Sequence, residues 1–569
     1  MRKSKLLALL LAVAMLAVMI AACAPAADAP AEAPPPAETP EAPADTADPA
    51  DPVEEVPLPV ADEMVFRMQV TSFDGNFSPI LAQTVYDMYI VSLVFDSLIT
   101  NDAEGNPIPW LATHWESSDD NLVYTLFLDE RATFSDGSPV TTADVAFSLY
   151  DSIAHPDYAG PRGYRITNIE SYEIIDTHTI AFTFYEASPT NIWDIGHAVM
   201  PVDFYGFTDW DDFLDLQQTP LGSGRFVFEE WRPMEFLRLS ANTNHWHPDR
   251  VPNVDTILLI DIPEEVVIDA LIRDEVDLAQ PSTLIDNYNM LMDAEGVTPV
   301  VFIGNGYQFM KFNTTQPQLN DVRVRQALMY ALDRQAYIDS ALGPALGRVG
   351  TAPVSPAGWA YPDGGALNLY SFNLDRARQL MSEAGWEPGA DGVLVNADGV
   401  RMELNWPVYT EVPWPSIMAE LAADSWAQIG VDLTIELFDF NTVGEIGWSF
   451  DEGLPVAERD FSVFVMGWSL AVDPDPTGGL DDGDAYDGWN ASGFSNPEAQ
   501  ELIARGRVEF DRAARAEIYA EWAVLMNYWL PTAVIAYRNE LWGMRSNVSG
   551  LDISAFRDWT YDAHLIVVN

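Results

Sequence analysis

Between positions 306 and 339 the chain reads GYQFMKFNTTQPQLNDVRVRQALMYALDRQAYID, and the period of its apolar residues changes once along the way. Tyr307 and Phe309 fall on one side of an extended segment, Met310 and Phe312 on the other, which predicts a strand with two apolar faces. From Val324 the apolar positions become Ala327, Leu328, Ala331 and Leu332, the spacing of one helical face. Asn320 is the expected cap of that helix and Asp321 sits favourably in its first turn. Asp333 is the expected cap of a second, shorter helix ending near Gly343. A strand of one layered unit that passes at once into a helix of another marks a crossing between two lobes.

The chain upstream divides into three parts by composition. Arg2, Lys3 and Lys5 precede an uncharged apolar run, 6–22, the arrangement of a secretory leader rather than of a permanent span. Ile20-Ala21-Ala22 then leads into Cys23, the sole cysteine, so no intrachain disulfide and no thiolate metal cage can form. The pattern resembles the lipobox of bacterial lipoproteins, in which Cys23 would be lipidated and become the mature N-terminus. Positions 24–59 are largely Ala, Pro, Glu, Asp and Thr, which predicts an extended acidic spacer with a reach on the order of 100 Å.

The remaining stretch of about 500 residues is long enough for two or three domains. The formal charge of the whole chain is −59; the first 22 residues hold three cations and no acid, so the remainder carries −62. Such a surface argues against nucleic acid and against anionic lipid headgroups as partners. Solvation is the first reading of the acid excess, attraction of cationic solutes the second. After the leader, Lys311 is the only lysine.

Along this body, segments 64–70, 122–129 and 178–184 alternate as strands, and a tight Asp136-Gly137 turn leads to a helix capped near Thr142 with Asp144 in its first turn. Pro220-Leu-Gly-Ser-Gly-Arg225 lacks the spacing and lysine of a phosphate-binding loop and reads as a turn into a strand. Further on, helical and strand patterns alternate: 415–430 as a helix, 402–406, 431–437 and 460–467 as strands, which argues for an α/β lobe. Asn373 is the expected cap of a helix reaching Trp386. His245-Trp-His247 is weak as a metal pair and reads as surface histidines. Asp473, Asp475, Gly478 and Asp484 loosely follow a calcium loop but are interrupted by two prolines, and no metal site is assigned.

Several runs carry a resemblance. Phe312-Asn313, Val324-Arg325-Gln326-Ala327-Leu328, Ala331-Leu332 and Asp333-Arg334 are joined by Pro109-Trp-Leu-Ala112, Tyr124-Thr-Leu-Phe-Leu128, Phe134-Ser-Asp-Gly-Ser-Pro139 and Thr142-Ala-Asp-Val-Ala-Phe147. Downstream come Glu383-Ala-Gly-Trp386, Gly467-Trp468 and Phe494-Ser-Asn-Pro-Glu498. In this order they resemble solute-binding protein family 5 of ABC importers, which includes oligopeptide-, dipeptide- and nickel-binding proteins. The resemblance implies a two-lobed α/β fold of the periplasmic-binding-protein type, class II and peptide-binding in size, with an extra subdomain in the first lobe and two hinge crossings. It implies a leader at 1–22, the lipidated cysteine and linker at 23–60, lobe I at 61–310 and 536–569 with a subdomain inserted at about 95–220, and lobe II at 311–535. Segment 531–537 would be the returning hinge strand.

The implied function is extracytoplasmic capture of a peptide between the lobes and its delivery to the permease subunits of an ABC importer. The protein would be a monomer anchored through lipidated Cys23 to the outer face of the plasma membrane, or in the periplasmic space of a cell with two membranes, without cofactor and without enzymatic activity. Another small solute, such as a nickel chelate or a sugar, is the alternative cargo; a secreted hydrolase using paired carboxylates is the competing class, and no G-x-S-x-G, H-E-x-x-H or Walker A pattern supports it. Six residues are candidate ligand neighbours. Asn76 and Phe77 lie in the loop after the first strand, and Tyr409, Trp414 and Trp468 lie beyond strand ends, where crevice ligands bind in α/β sheets. Asp473 is the sixth: the family's amine-pairing acid falls on Ala471 when counted without a gap, and a small insertion would bring Asp473 into its place.

Overall fold

The strand Thr532–Arg545 runs through the middle of the molecule, and the other elements are arranged about it. Residues 532–537 and 541–543 of this strand are buried, whereas Arg538, Asn539 and Glu540 between them are more open. Its first half lies antiparallel to Gly306–Phe312, with Met310 opposite Ala533; its second half lies antiparallel to Val297–Ile303, with Val300 opposite Trp542. Those two partner strands are consecutive in the chain, separated only by Gly304 and Asn305. The backbone therefore crosses between lobes twice, side by side, as the change of period near 312 predicts. The computed structural model describes residues 63–206, 210–362, 365–449, 453–477 and 490–569; the leader, Cys23 and the acidic spacer lie outside the described residues.

In the first lobe, Val65–Val70 is parallel to Thr256–Asp261, which continues antiparallel into Phe236–Ala241 and Phe226–Arg232. Alternation places Phe66, Leu239, Ile257 and Leu259 in a buried layer, and the chain's last segment returns to it: the Trp559 ring, fully buried, lies 5.7 Å from that of Phe66. A separate antiparallel sheet, in the order Ala112–Ser117, Val123–Leu128, Thr179–Phe184, Ile169–Asp176, closes over its own core of Leu98, Leu126, Val145 and Phe182. Thr141 begins the helix Thr142–Ala146 through a capping box with Asp144, one residue before the expected Thr142.

His245 departs from the expectation of surface histidines. Its side chain is buried, with Nε2 3.4 Å from the carboxylate of Asp96. Trp110 and Trp246 both donate indole N–H groups to Asp96 at 2.8 Å. A fully buried carboxylate requires such donors, which the two indoles supply, and the histidine is buried because it packs beside the carboxylate.

The second lobe is built on Val463–Ser469, antiparallel to Gly306–Phe312, and on the parallel pair Glu403–Tyr409 and Asp432–Phe438. Helices Val322–Tyr330, Leu374–Glu383 and Trp414–Ala427 pack their apolar stripes into one core with Met310, Phe312, Val463 and Val465. Asn373 caps its helix by accepting from the N–H of Arg376. At the earlier helix the cap is Asp321 rather than Asn320, because the N–H of Asn320 is still engaged in a turn with the carbonyl of Gln316. The same core continues across the crossing strands to Leu271 and Leu291 of the first lobe through Leu342, Ile535 and Leu541, so the lobes share an apolar seam on one side of the hinge. No helix among the described residues is long and apolar enough to cross a membrane.

Candidate functional site

On the hinge, between the lobes, the described residues enclose a cavity of about 700 Å³, within the range of small-molecule and peptide sites. The crossing strands form its floor with Asn305, Gly306, Gln308, Arg538 and Glu540. Gly306 is required there: a Cβ would stand 2.4 Å from the carbonyl oxygen of Trp468 on the neighbouring strand. The first lobe contributes Tyr89, Gln280, Phe302, Trp542 and the irregular stretch 553–558. The second contributes Tyr409, Glu411, Trp414, Phe440 and residues of the segment after Val463–Ser469.

Four aromatic side chains stand in the second-lobe wall. Tyr409 is buried, with Trp414 and Phe440 set edge-on to it at ring distances of 6.0 and 5.2 Å. Trp468, half-buried, stands edge-on to Phe309 at 6.5 Å. These rings offer apolar area with little rotamer freedom left to lose. Polar groups in the floor are held by neighbours: Gln308 Oε1 accepts from the Tyr337 hydroxyl at 2.8 Å, and Asn305 Nδ2 donates to the carbonyls of Leu470 and Ala471 at 2.9 and 3.0 Å. Glu411 accepts the Phe440 N–H at 2.7 Å and the Thr410 N–H at 3.1 Å. Glu540 accepts from Gln280 at 3.2 Å and lies 3.4 Å from Arg538.

Of the six candidates, the structure brings Tyr409, Trp414 and Trp468 to the cavity wall. The other three are placed elsewhere. Phe77 is fully buried in the first-lobe core, 5.1 Å from the Trp231 ring and 5.7 Å from Phe73, because aromatic residues of its own loop and of the strand Phe226–Arg232 converge there. Asn76 is fixed in the same loop: its N–H donates to Asp87 at 3.3 Å and its side-chain oxygen accepts from Gln217 at 3.1 Å. Asp473 turns from the cavity to the buried guanidinium of Arg515, which donates to its carboxylate and lies 3.9 Å from Asp475. Burial pushes the Asp473 carboxyl upward and Arg515 pulls it back; the direct charge-assisted contact identifies an ionised pair. This also accounts for Asp475, leaving only positions 478 and 484 of the calcium-loop pattern, which lie outside the described residues.

The sequence reading missed Tyr89, Gln280, Arg538, Glu540 and the stretch 553–558. A signal for Arg538 and Glu540 was present: they directly follow the predicted returning strand and are the charged interruption between its two apolar runs. The stretch Ile553-Ser-Ala-Phe-Arg-Asp558 has neither period nor motif, and nothing in the sequence marks it.

Two lobes joined by a pair of adjacent strands, with an aromatic and polar cavity across the joint, define a clasping solute receptor. The profile of the bacterial extracellular solute-binding proteins, family 5 (middle section), matches residues 106–490, and the chain belongs to this family. It is similar to the oligopeptide-binding protein AppA of Bacillus subtilis, with 24% identity over 82% of this chain and 85% of the relative. It is also similar to heme-binding protein A of Haemophilus influenzae, with 26% identity over 75% of this chain and 78% of the relative. The solved structure of Bacillus subtilis AppA in complex with a nonapeptide superposes with a TM-score of 0.72 at 22% identity, covering 89% of this chain and 99% of that one, and shares its fold.

Proposed function

We propose that this protein captures a peptide in the cavity between its lobes and hands it, unaltered, to the permease of an ABC importer. The observation that carries this reading is the cavity itself: backbone and side-chain groups of both lobes and both crossing strands line one volume, so rotation about the crossing encloses a guest by contacts from both sides. Aromatic walls favour varied side chains, and hinge-strand amides and side-chain amides suit a peptide backbone. The relationship to a peptide-binding AppA supports this cargo. The lobes divide at 310 and 535, with lobe I at 61–310 and 536–569, an inserted subdomain at about 95–220, and lobe II at 311–535. A leader ending before Cys23 and a lipid on that cysteine hold the body outside the cell membrane on the 23–60 spacer.

Native mass spectrometry after incubation with a mixed peptide library tests the reading. One intact peptide per protein, recovered unchanged after prolonged incubation, is the expected result. Truncated peptides, or a protein that emerges without any, would contradict it.

A further inference from the structure

Three carboxylates line the cavity, and they differ in how far their charge is already satisfied. Glu411 is occupied by two backbone N–H groups and Glu540 by Gln280 and Arg538. Asp558 has neutral partners alone among the described residues: the Thr560 N–H donates to Oδ1 at 2.8 Å and the Thr560 hydroxyl to the same atom at 2.5 Å, and the Tyr561 N–H adds a weaker contribution. Both Thr560 donors meet one oxygen; among the described residues, no cation stands within ion-pair distance of the carboxylate. The nearest influence of that sign, Arg225, donates instead to the carbonyls of Tyr561 and Ser92. Neighbouring Arg557 lies over the Tyr561 ring, 4.2 Å from its centre.

The base of Asp558 is rigid. Trp559 is fully buried against Phe66 and Tyr89, at ring distances of 5.7 and 5.3 Å, and Thr560 is buried beside it. The carboxylate thus projects from an anchored chain, open to the cavity water although protein surrounds it. That protein burden pushes its carboxyl above the usual range, despite the Thr560 hydrogen bonds. When a guest displaces the cavity water, this oxygen pair loses its solvation, and a cationic donor on the guest is the strongest replacement for what is lost. The corresponding segment of the second lobe offers no such group: Ala471 has no carboxylate, and Asp473 is paired with Arg515.

We propose that Asp558 is the specificity-determining residue that recognises an ammonium group of the cargo, so that the charge contact is made from the first lobe. This rests on the peptide reading above and deepens it: the guest carries an ammonium, either at its N-terminus or on a lysine-like side chain, seated between Asp558 and the aromatic groups of the facing wall.

The test uses the full-length protein and a randomised tetrapeptide library in free-amine and N-acetylated forms, with retained peptides weighed by native mass spectrometry. Wild type is expected to retain free-amine peptides at least about tenfold over their acetylated counterparts. Asp558→Asn keeps the oxygen that Thr560 donates to; it is expected to lower retention of free-amine peptides by roughly tenfold to a hundredfold, leaving acetylated ones little changed. Acetylated peptides retained by wild type only when they contain lysine, and lost in Asp558→Asn, support the side-chain ammonium as the source. A folded Asp558→Asn that retains ammonium-bearing peptides as wild type does overturns the assignment, as does a wild type that retains acetylated, lysine-free peptides as readily as the rest of the library; the latter comparison needs no variant to fold. In both of those cases peptide capture itself stands. Retention of no peptide by wild type overturns the peptide reading, and this assignment with it.

Discussion

Asp473 and Asp558 are aspartates that burial pushes toward the neutral form, one on each side of the same joint. Asp473 follows a strand end in a segment that sequence marks strongly, and it faces Arg515, away from the cavity. Asp558 lies in a stretch that sequence does not mark, faces the cavity, and has neutral donors but no cation within ion-pair distance among the described residues. A motif locates a segment in the fold; it does not say whether the charge it carries is already matched inside the protein. The carboxylate with a built-in counter-ion supports structure, and the one without is available to a guest.

The comparison breaks most easily at Arg515. Arg515→Met leaves Asp473 buried without its cation and is expected to cost about 3–5 kcal/mol of stability, read by urea denaturation. Peptide affinity of the folded variant should stay within about a factor of three, since the two sites share no partners. Collapse of affinity with stability intact would place Asp473 in contact with cargo after all. Phe77→Ala makes the same point for an apolar side chain: a loss of about 3–5 kcal/mol from the first-lobe core, with affinity preserved once folded. Weakened peptide binding without a stability loss would return Phe77 to the site.

Lys311 is a buried amine with no counter-charge within ion-pair distance among the described residues. It has no hydrogen-bond partner among the described residues, and burial lowers its pKa to about 7. Because the folded value lies below the unfolded one, the unfolded chain holds a proton that the folded chain lacks from about pH 7 to 10.5, so this residue makes stability rise with pH across that window. Lys311→Met is expected to gain on the order of 2–4 kcal/mol at pH 7, with the advantage shrinking toward pH 10. Thermal melts of both proteins across this range check it; a pH-independent difference would show that the amine is compensated. The smallest effect is expected at Trp468→Ala, which removes one ring of the cavity wall: about a tenfold loss of peptide affinity by calorimetry, with little change in melting. Unchanged affinity would place the guest against the first-lobe wall alone.

The crossing between lobes was legible because it rests on local pattern. Strand alternation through Phe312 gives way to the helical spacing of Val324 to Leu332, and the hinge strand repeats an apolar run on either side of Arg538-Asn-Glu540. Tyr409, Trp414 and Trp468 were legible for a related reason, since strand ends in α/β sheets open onto crevices. Phe77 was not: an aromatic in a glycine-containing loop reads alike whether it meets solvent, ligand or core, and the rings that cover it come from positions about 150 residues downstream. The pairing of Asp473 with Arg515 joins a loop to a helix that begins after position 510, and no local spacing reveals it. Asp558 depended on a tail segment folding back under the first strand, fixed by the burial of Trp559.

Closure of two lobes on a guest is the motion on which all of this depends. It is tested most directly by pulsed electron-spin distance measurements in a Cys23→Ser background. Labels go on Met234→Cys in the first lobe and Leu437→Cys in the second, both of whose native side chains are exposed. Saturating peptide is expected to shift the distance distribution to a shorter, narrower one; a distribution identical with and without peptide, while peptide is demonstrably bound, would contradict a clasping receptor.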